Sequence, residues 1–377
     1  MLVLFVSTLA PSSAEERSGA GFVHPGLLHT RGDLDRMRQR VAAGDEPWNS
    51  GFARLRSDGP SQAAWKLRGP FEVVTRGGAS PGNAQMVLDG NAAYQNALMW
   101  CVTGDEAHAQ KAIEILNAWS ATLRKMDGRD VQLAAGLNGF KFVNAAELMR
   151  HTYPAWKREE VARCEEMFRE IVLPPIEDFA TFANGNWDAA CLVTIMAIGI
   201  FCDDRGQFDR AVDYFRHGKG NGRLTNYVFD ETGQCQESGR DQQHTQLGLG
   251  LLAEACEIAW HQGVDLYGEA GNRLLRGFEY TARYNLGENV PFTPHMDTTG
   301  KYRHQKVSTE GRGQLRPIYE MVWNHYGVRR GIPAPFTKRA AEKLRPEGAA
   351  WTGDHPGFGT LLFTLRAAES TEGKAKP

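Results

Sequence analysis

The sequence has none of the residue spacings that usually hold a metal ion or a disulfide. Its six cysteines form no CxxC pair, and its eleven histidines form no HxH or HExxH motif. Most of the cysteines lie in apolar helical runs, where a free thiol behaves as a small hydrophobic side chain. We therefore expect six buried thiols and no metal or other cofactor.

Long runs of charge of one sign are also absent. The 377 residues include 43 Lys and Arg against 45 Asp and Glu, which gives a net charge of −2. This balance does not indicate a nucleic acid or a membrane as a partner. An anionic ligand would therefore have to meet cations that the fold gathers in one place.

The chain begins with an apolar stretch, MLVLFVSTLAPSSA, that is too short to span a bilayer and ends in small residues. It is typical of a secretory signal that lacks the basic start, with cleavage after Ala14. We expect a signal-like segment at 1–14, one domain over 15–370 and a flexible tail at 371–377. The predicted location is the periplasm or the cell exterior.

A series of alternating apolar and polar residues, which would indicate a sheet, is missing, and apolar residues instead recur at helical spacing. Helices are predicted over residues 91–104, 106–123, 139–156, 158–176, 187–204, 207–218, 237–263, 268–286 and 314–327. Many helices of similar length, paired by short turns, predict an all-α fold, a single (α/α)n toroid or incomplete α/α barrel. In such a ring, polar residues at the helix ends line a groove.

Two longer irregular stretches, 69–90 and 287–313, interrupt this pattern. Loops of this length within a compact domain are usually functional or disordered. The second contains NVPFTPHMDTTGKYRHQK, which is rich in His, Lys, Arg and Tyr. We expect it to form a lid or a wall over the groove.

The helical part of the chain contains the segments TGDEAHAQKAIEILNAWSATL, FVNAAELMRHTYPAW, NGNWDAACLVTIMAIGIF and ESGRDQQHTQLGLGLLAEACEIAWHQGVDLY, followed by the tail RGQLRPIYEMVWNHYG. Together these segments resemble the alginate-lyase-like family of polysaccharide lyases. The resemblance extends from about residue 83 to residue 327. It implies an α/α toroid that cleaves a β-1,4-linked polyuronate, either mannuronate-rich alginate or glucuronan (cellouronate), by β-elimination. An anionic polysaccharide or oligouronate is thus the expected partner.

Such an elimination needs a group that neutralises the uronate carboxylate, a base for the C5 proton and an acid for the O4 leaving group. Asn186 is a candidate for the first role, because it stands just before a helix expected to begin at Trp187, although a helix N-cap is an equally simple reading. Arg240 and His244 are four residues apart and would share one face at the head of a helix. Their alternative role is a solvated first turn.

One departure from the family pattern leaves open which residue is the catalytic base. The best-known branch places a His directly after an Asn in this region, whereas Trp187 follows Asn186 here. Mannuronate and glucuronate carry the C5 proton and O4 on the same side, so one Tyr can serve as base and acid in turn. We predict the catalytic set Asn186, His244 and Tyr302, with His244 or Tyr302 as the base and Tyr284 as a competitor of Tyr302.

Several neighbouring residues are candidates for substrate binding. They are Arg240, Trp187, Arg303, His304 and Arg312. Arg grips carboxylates with two donors, which makes Arg312, and similarly Arg316, possible clamps, but ion pairs with Glu310 or Glu320 would explain them equally well.

Core packing is the commoner role for aromatic residues at helical spacing. We expect it for Trp65 and Trp100, and it is the alternative to sugar stacking for Trp187. Gly248 and Gly250 are expected to allow a neighbouring helix to approach closely.

Two other classes of protein compete with the lyase. An inverting glycoside hydrolase would use two carboxylic acids, for which Glu237, Asp241 and Asp297 are available. A metal-dependent or sugar-binding protein would be built around histidines, with His244, His295 and His304 as candidates, but their spacing does not support a metal site. The combined presence of Asn, Arg, His and Tyr favours the lyase.

Overall fold

The computed structural model describes residues 21–78, 82–350 and 353–366. The predicted signal-like segment at 1–14 and the predicted tail at 371–377 lie outside this part of the chain. Within it, no helix is apolar over enough turns to cross a membrane.

Helices dominate the described residues. They are α1 Arg31–Ala42, α2 Trp48–Ser57, α3 Asn83–Thr103, α4 Glu106–Thr122, α5 Val131–Thr152, α6 Arg158–Met167, α7 Gly185–Phe201, α8 Arg205–His217, α9 Leu224–Tyr227, α10 Gln242–His261, α11 Glu269–Asn285, α12 Tyr319–Trp323, α13 Pro335–Leu344 and α14 Gly359–Leu362. Short π-helical turns, Phe168–Val172 and Asn324–Arg329, continue α6 and α12, and a 3₁₀ turn covers Pro174–Ile176. Two strands, β1 Val73–Thr75 and β2 Lys125–Asp127, pair in parallel.

Burial separates an inner set of helices from an outer set. In α7 every residue except Trp187 is buried, and in α5 the run Leu133–Met149 is buried without interruption. The outer helices α4, α6, α8 and α11 instead bury one face and expose the other, as the alternation of apolar and charged residues in their sequences requires. The predicted all-α toroid is confirmed.

Neighbouring inner helices run in the same direction. A Cβ on Gly136 of α5 would meet Ala190 of α7, and one on Gly139 would meet Thr194, three and four residues further along the respective helices. In the same way, Asn138 Nδ2 donates to Asn83 Oδ1 at the start of α3, 3.1 Å away. The starts of these helices therefore gather at one end of the ring.

The start of α10 joins them through Tyr227. The Tyr227 ring packs against Gly185, the first residue of α7. Its hydroxyl donates to the carbonyl oxygen of Thr245 in the first turns of α10, at 2.9 Å. Because each helix N-terminus carries a partial positive charge, this end of the ring suits an anionic ligand.

The structure corrects two features of the expected chain path. Helix α3 begins at Asn83 rather than at residue 91, because Gly90 is not a helix break but a position where Phe142 approaches to about van der Waals contact. The stretch 69–90 is therefore irregular only before α3, and it also contains β1. Helix α5 likewise begins at Val131 rather than at residue 139, and the helices α1, α2, α9, α13 and α14 lie outside the predicted segments.

Close packing also explains other small residues. Gly248 and Gly250 accept side chains rather than a neighbouring helix, since Gly248 faces the Tyr227 hydroxyl and Gly250 faces His355.

All six cysteines are buried and unpaired, as predicted.

We expect Gly136→Ala to lower the free energy of unfolding by about 1–3 kcal/mol, because its Cβ would lie 2.8 Å from the backbone of Ala190 and force α5 and α7 apart. Thermal unfolding followed by circular dichroism measures the change. Gly32→Ala in α1 is the matched control: its nearest neighbour is 3.7 Å away, so it should leave the protein equally or slightly more stable. Equal melting temperatures for the two variants would contradict the close contact.

Candidate active site

Asn186 lies inside the first turn of α7 and not before it. The helix begins at Gly185 with Asn184 at the N-cap position, so the N-cap interpretation of Asn186 is wrong. The backbone NH and the side-chain Nδ2 of Asn186 each donate to Glu237, both at 3.0 Å. Asn186 is only 1% exposed, and its Oδ1 has no hydrogen-bond partner in the described structure.

Glu237 is fully buried and connects the start of α7 to the segment before α10. Besides Asn186, it accepts hydrogen bonds from Arg240 Nη1 at 2.7 Å and from the Tyr227 hydroxyl at 3.3 Å. Burial raises the pKa of Glu237, although the positive charge of Arg240 opposes this effect. The carboxylate thus depends on its partners for its charge.

Arg240 precedes helix α10, which begins at Gln242 with Asp241 as its N-cap. The prediction that Arg240 and His244 share one helix face is therefore wrong, because Arg240 is not part of the helix. The two side chains are nevertheless in contact, with Arg240 Nη2 3.2 Å from His244 Nε2. Residues 237–240 form a turn, closed by the Arg240 NH donating to the Glu237 carbonyl at 2.9 Å. This turn carries Arg240 back over the head of α10.

Asp241 orients His244. One carboxylate oxygen accepts the His244 backbone NH at 2.7 Å, and the other lies 2.6 Å from Nδ1. A carboxylate beside Nδ1 selects the tautomer with a proton on that nitrogen, which leaves Nε2 as an acceptor facing Arg240. The side chains of Arg240 and His244 are 30% and 39% exposed, whereas Asn186 and Glu237 lie behind them.

The loop 287–313 is anchored beside this cluster through Asp297. The Asp297 carboxylate accepts the backbone NH groups of Lys301 and Tyr302, both at 3.0 Å, and Asn221 Nδ2 at 2.7 Å. Burial raises the pKa of Asp297, but these hydrogen bonds outweigh it and the pKa is lowered. Lys301 Nζ reaches the carbonyl oxygen of Phe182, just before α7, at 2.9 Å.

Further along, the same loop packs on the turn that precedes α10. The Ser308 NH donates to the Ser238 carbonyl at 3.0 Å, and the His304 side chain fills the space above Gly239. Burial and the positive charge of Arg240 lower the pKa of His304, whose Nε2 has no hydrogen-bond partner in the described structure. The loop therefore forms a wall at the groove, with Tyr302 half-buried and Arg303 exposed.

Two arginines singled out in the sequence serve the framework. Arg312 donates to the carbonyl oxygens of Tyr284 and Glu288, both at 3.0 Å, and stacks 4.0 Å above the Tyr284 ring. It thereby closes the end of α11 and buries Tyr284, the competitor of Tyr302. Arg316 pairs with Asp354 at 3.1 Å rather than with Glu310 or Glu320.

The three tryptophans differ in position. Trp187 is half-buried at the start of α7, edge-on to Phe182, which is 50% exposed. Trp65 and Trp100 donate their ring NH groups to Asp89 and Thr152, which fits packing roles. Of these three, Trp187 alone lies beside Asn186.

The carboxylates of the hydrolase hypothesis are all used as acceptors within the protein. Glu237 holds Asn186 and Arg240, Asp241 caps α10, and Asp297 anchors the loop. A pair of free carboxylic groups flanking a scissile bond is thus not what these residues provide. Among the described residues, His244, His295 and His304 also form no group that could share a metal ion.

The partners of the catalytic candidates were missed in the sequence. The sequence predicts a role for Glu237 and Asp241 only as the acids of a hydrolase, and it predicts no role for Tyr227. The signal for Asp241 was present, since an Asp three residues before His244 at the head of an apolar run is a typical N-cap. The pairing of Glu237 with Asn186 joins residues 51 positions apart and had no local signal.

Comparison with known proteins identifies the family of the chain. Residues 51–292 match the family described as alginate lyase. The chain belongs to the alginate lyase family. It is a polysaccharide lyase. No curated protein sequence matches it.

Solved alginate lyases share the fold. The structure of alginate lyase A1-III from Sphingomonas species A1 is 14% identical, covers 95% of this chain and 100% of its own, and has a TM-score of 0.66. A His-to-Ala variant of A1-III complexed with tetrasaccharide is 15% identical, covers 89% of this chain and 94% of its own, and has a TM-score of 0.61. An alginate lyase from Bacteroides ovatus is 15% identical over 93% of this chain and 99% of its own, with a TM-score of 0.53.

We expect Asp241→Asn to lower kcat by about 10²-fold or more while the protein stays folded. Asn is as good an N-cap as Asp, but its amide group would favour the other tautomer of His244 and place an NH against Arg240. Initial rates of lyase product formation and thermal unfolding measure the two effects. Asp204→Asn, at the N-cap of α8 without a histidine contact, is the control and should retain full activity. Equal activity of the two variants would contradict the orienting role.

Proposed function

We propose that this lyase cleaves a β-1,4-linked polyuronate, glucuronan (cellouronate) or mannuronate-rich alginate, by syn β-elimination. The product is a C4=C5 unsaturated uronate at the new non-reducing end. The observation that carries the proposal is the pair of partly exposed side chains, Arg240 and His244, beside the gathered helix N-termini. Buried Asp241, Glu237 and Asn186 support this pair from behind. A cation and an oriented imidazole at such a place suit a uronate carboxylate.

The uronate carboxylate binds to Arg240 beside His244 in this proposal. Arg240 keeps Nη1 on Glu237 and Nη2 on His244 Nε2, so the guanidinium stays oriented and the second proton of Nη2 is donated to the substrate. Neutralising the carboxylate makes the C5 proton more acidic and stabilises the enediolate that follows its removal. Asn186 supports the same charge, through Glu237 in the present arrangement or directly if its amide rotates within the pocket.

Tyr302 moves the proton. Its phenolate oxygen takes the proton from C5, the C4=C5 double bond forms as the bond between C4 and O4 breaks, and the phenol returns the proton to O4. Support comes from the loop: Asp297 fixes the Tyr302 backbone, while the side chain remains half-exposed at the wall of the groove. His244 Nε2 is the alternative base, with Tyr302 then acting as the acid.

Two variants of the A1-III enzyme support a His and Tyr pair. Its His-to-Ala and Tyr-to-Phe variants are the forms complexed with tetrasaccharide. Here His244 and Tyr302 are half-exposed residues of those types at the candidate site, and His244, unlike half-exposed His304, is oriented by a carboxylate. We also propose that the chain acts in the periplasm or outside the cell, where a polymeric polyuronate is accessible.

Incubation with glucuronan, polymannuronate and polyguluronate tests the reaction and the substrate. We expect ultraviolet absorbance of the unsaturated product with glucuronan or polymannuronate, whose C4 and C5 arrangement permits syn elimination by one residue. The rise in absorbance and the number of new reducing ends should agree. Reducing ends without absorbance would contradict elimination and indicate hydrolysis, and absorbance with polyguluronate alone would contradict the proposed substrates.

Tyr302→Phe should reduce kcat by at least about 10³-fold and leave oligosaccharide binding within a few-fold, because it removes the proton carrier and keeps the ring. Tyr284→Phe is the matched control, since Tyr284 is buried beneath Arg312 and should be dispensable for turnover. Stopped assays for kcat and calorimetry for binding measure the two quantities. An active Tyr302→Phe enzyme would exclude Tyr302 as both acid and base.

A further inference from the structure

A second cluster of histidine and carboxylate groups lies away from the groove. Glu147 and His151 are one helical turn apart near the end of α5, and His24 reaches them from the segment before α1. Glu147 is 16 residues beyond Val131, the start of α5, which places it about 24 Å along the helix from the groove end. The cluster therefore belongs to the opposite end of the ring.

The three side chains direct their polar atoms at one another. His24 Nδ1 is 2.8 Å from Glu147 Oε1, and His151 Nε2 is 3.5 Å from Glu147 Oε2. One nitrogen or oxygen atom of each residue lies within 4.8 Å of those of the other two. Asp203, in the turn after α7, adds a carboxylate oxygen 3.2 Å from His24 Nε2.

Two of these atoms have no hydrogen-bond partner among the described residues. The Glu147 side chain is only 1% exposed, yet its Oε2 accepts no hydrogen bond within the described part of the chain. The same holds for His151 Nε2, a buried atom that faces it. An unsatisfied buried carboxylate oxygen is costly in a protein and indicates an absent bonding partner.

We propose that His24, Glu147 and His151 form a binding site for a divalent transition metal ion of the zinc type. Two imidazoles and one carboxylate are a ligand set that zinc accepts, and ligand atoms around a tetrahedral zinc ion are about 3.3 Å apart. The separation of 3.5 Å between Glu147 Oε2 and His151 Nε2 is close to this value. The fourth position faces the surface, since His24 is 16% and His151 23% exposed, and a water molecule or Asp203 can fill it.

Binding requires one movement. The rings of His24 and His151 are stacked, with centroids 4.4 Å apart and planes inclined by 13°, so one ring must tilt to direct its nitrogen at a shared ion. His24 is the ring that moves, because it lies on the irregular segment before α1, whereas His151 lies on α5. The Glu147 carboxylate, which also accepts the Gly26 NH at 3.0 Å, stays in place.

The site would join three parts of the fold. The ion would tie the segment that precedes α1 to the end of α5 and, through Asp203, to the turn between α7 and α8. Its distance from Arg240 and His244 assigns it a structural role and not a place in the elimination. A metal-free explanation exists, in which His24 carries a proton and bridges Glu147 and Asp203, and it predicts no metal binding.

Metal binding to the full chain, without an affinity tag and after chelator treatment, tests the proposal. Equilibrium dialysis against zinc should show one saturable equivalent, and cobalt should give a visible absorption band of tetrahedral intensity that zinc abolishes. His24→Gln and His151→Gln should each weaken binding by at least about tenfold. His217→Gln is the matched control, because His217 forms an exposed pair with Asp213 at 2.8 Å and belongs to no such cluster. It should bind metal as the unmodified chain does.

A measurement on the unmodified chain covers the case in which a variant misfolds. Zinc should protect His24 and His151, but not His217, from acylation of their ring nitrogens, as read by mass spectrometry. Zinc should also raise the melting temperature by several degrees in the unmodified chain and in His217→Gln. The absence of a saturable equivalent, equal binding by all variants, or protection of none of the two histidines would each overturn the proposal.

Discussion

The active-site end of the ring depends on one buried carboxylate, that of Glu237. It accepts both the backbone NH and the side-chain amide of Asn186, and it holds Arg240 at 2.7 Å. Burial raises its pKa, so the folded state binds a proton there more readily than the unfolded chain does. The contribution of Glu237 to the free energy of unfolding therefore falls as the pH rises from the ordinary carboxyl pKa toward the raised one, and the charge of Arg240 is the largest of the effects that oppose the raised pKa. Loss of Arg240 would leave a buried charge without its cation.

The same carboxylate also fixes the positions of the partly exposed side chains of Arg240 and His244. Glu237 fixes Arg240, and Arg240 contacts the one nitrogen of His244 that Asp241 leaves as an acceptor. Each of these residues precedes or begins a helix, so their relative positions follow from how α7 and α10 start. Asp297 performs an equivalent task for the loop, because it fixes the backbone at Tyr302 through two NH groups at once. Catalytic candidates from three separate segments are thereby positioned by three carboxylates, those of Glu237, Asp241 and Asp297.

The helical class of the fold could be predicted from the sequence because apolar spacing is a local property, and most predicted helices agree with the structure within a few residues. A predicted helix boundary is wrong where a residue has a role in tertiary packing. The predicted helix starts only after Gly90, whereas Gly90 lies inside α3 and makes room for the ring of Phe142. Arg240 and His244 were selected correctly as neighbours, yet the cap at Asp241 and not a shared helix face brings them together. The bond from Asn186 to Glu237 and the bond from Asn221 to Asp297 join residues 51 and 76 positions apart. Predicting them requires knowledge of which segments are adjacent in space, and spacing along the chain does not contain it.

Within the described part of the chain, Asn186 Oδ1 and His304 Nε2 at this site are buried and have no hydrogen-bond partner. Each such atom costs about 1–3 kcal/mol when it has lost water and gained no hydrogen bond. Both belong to residues next to the Glu237 and Arg240 network, Asn186 on α7 behind Arg240 and His304 on the loop that packs on Gly239. A polyuronate carries hydroxyl donors and carboxylate acceptors along its whole length. A bound chain can therefore satisfy groups that the protein itself leaves unpaired, and the cost stored in the free protein then favours the complex.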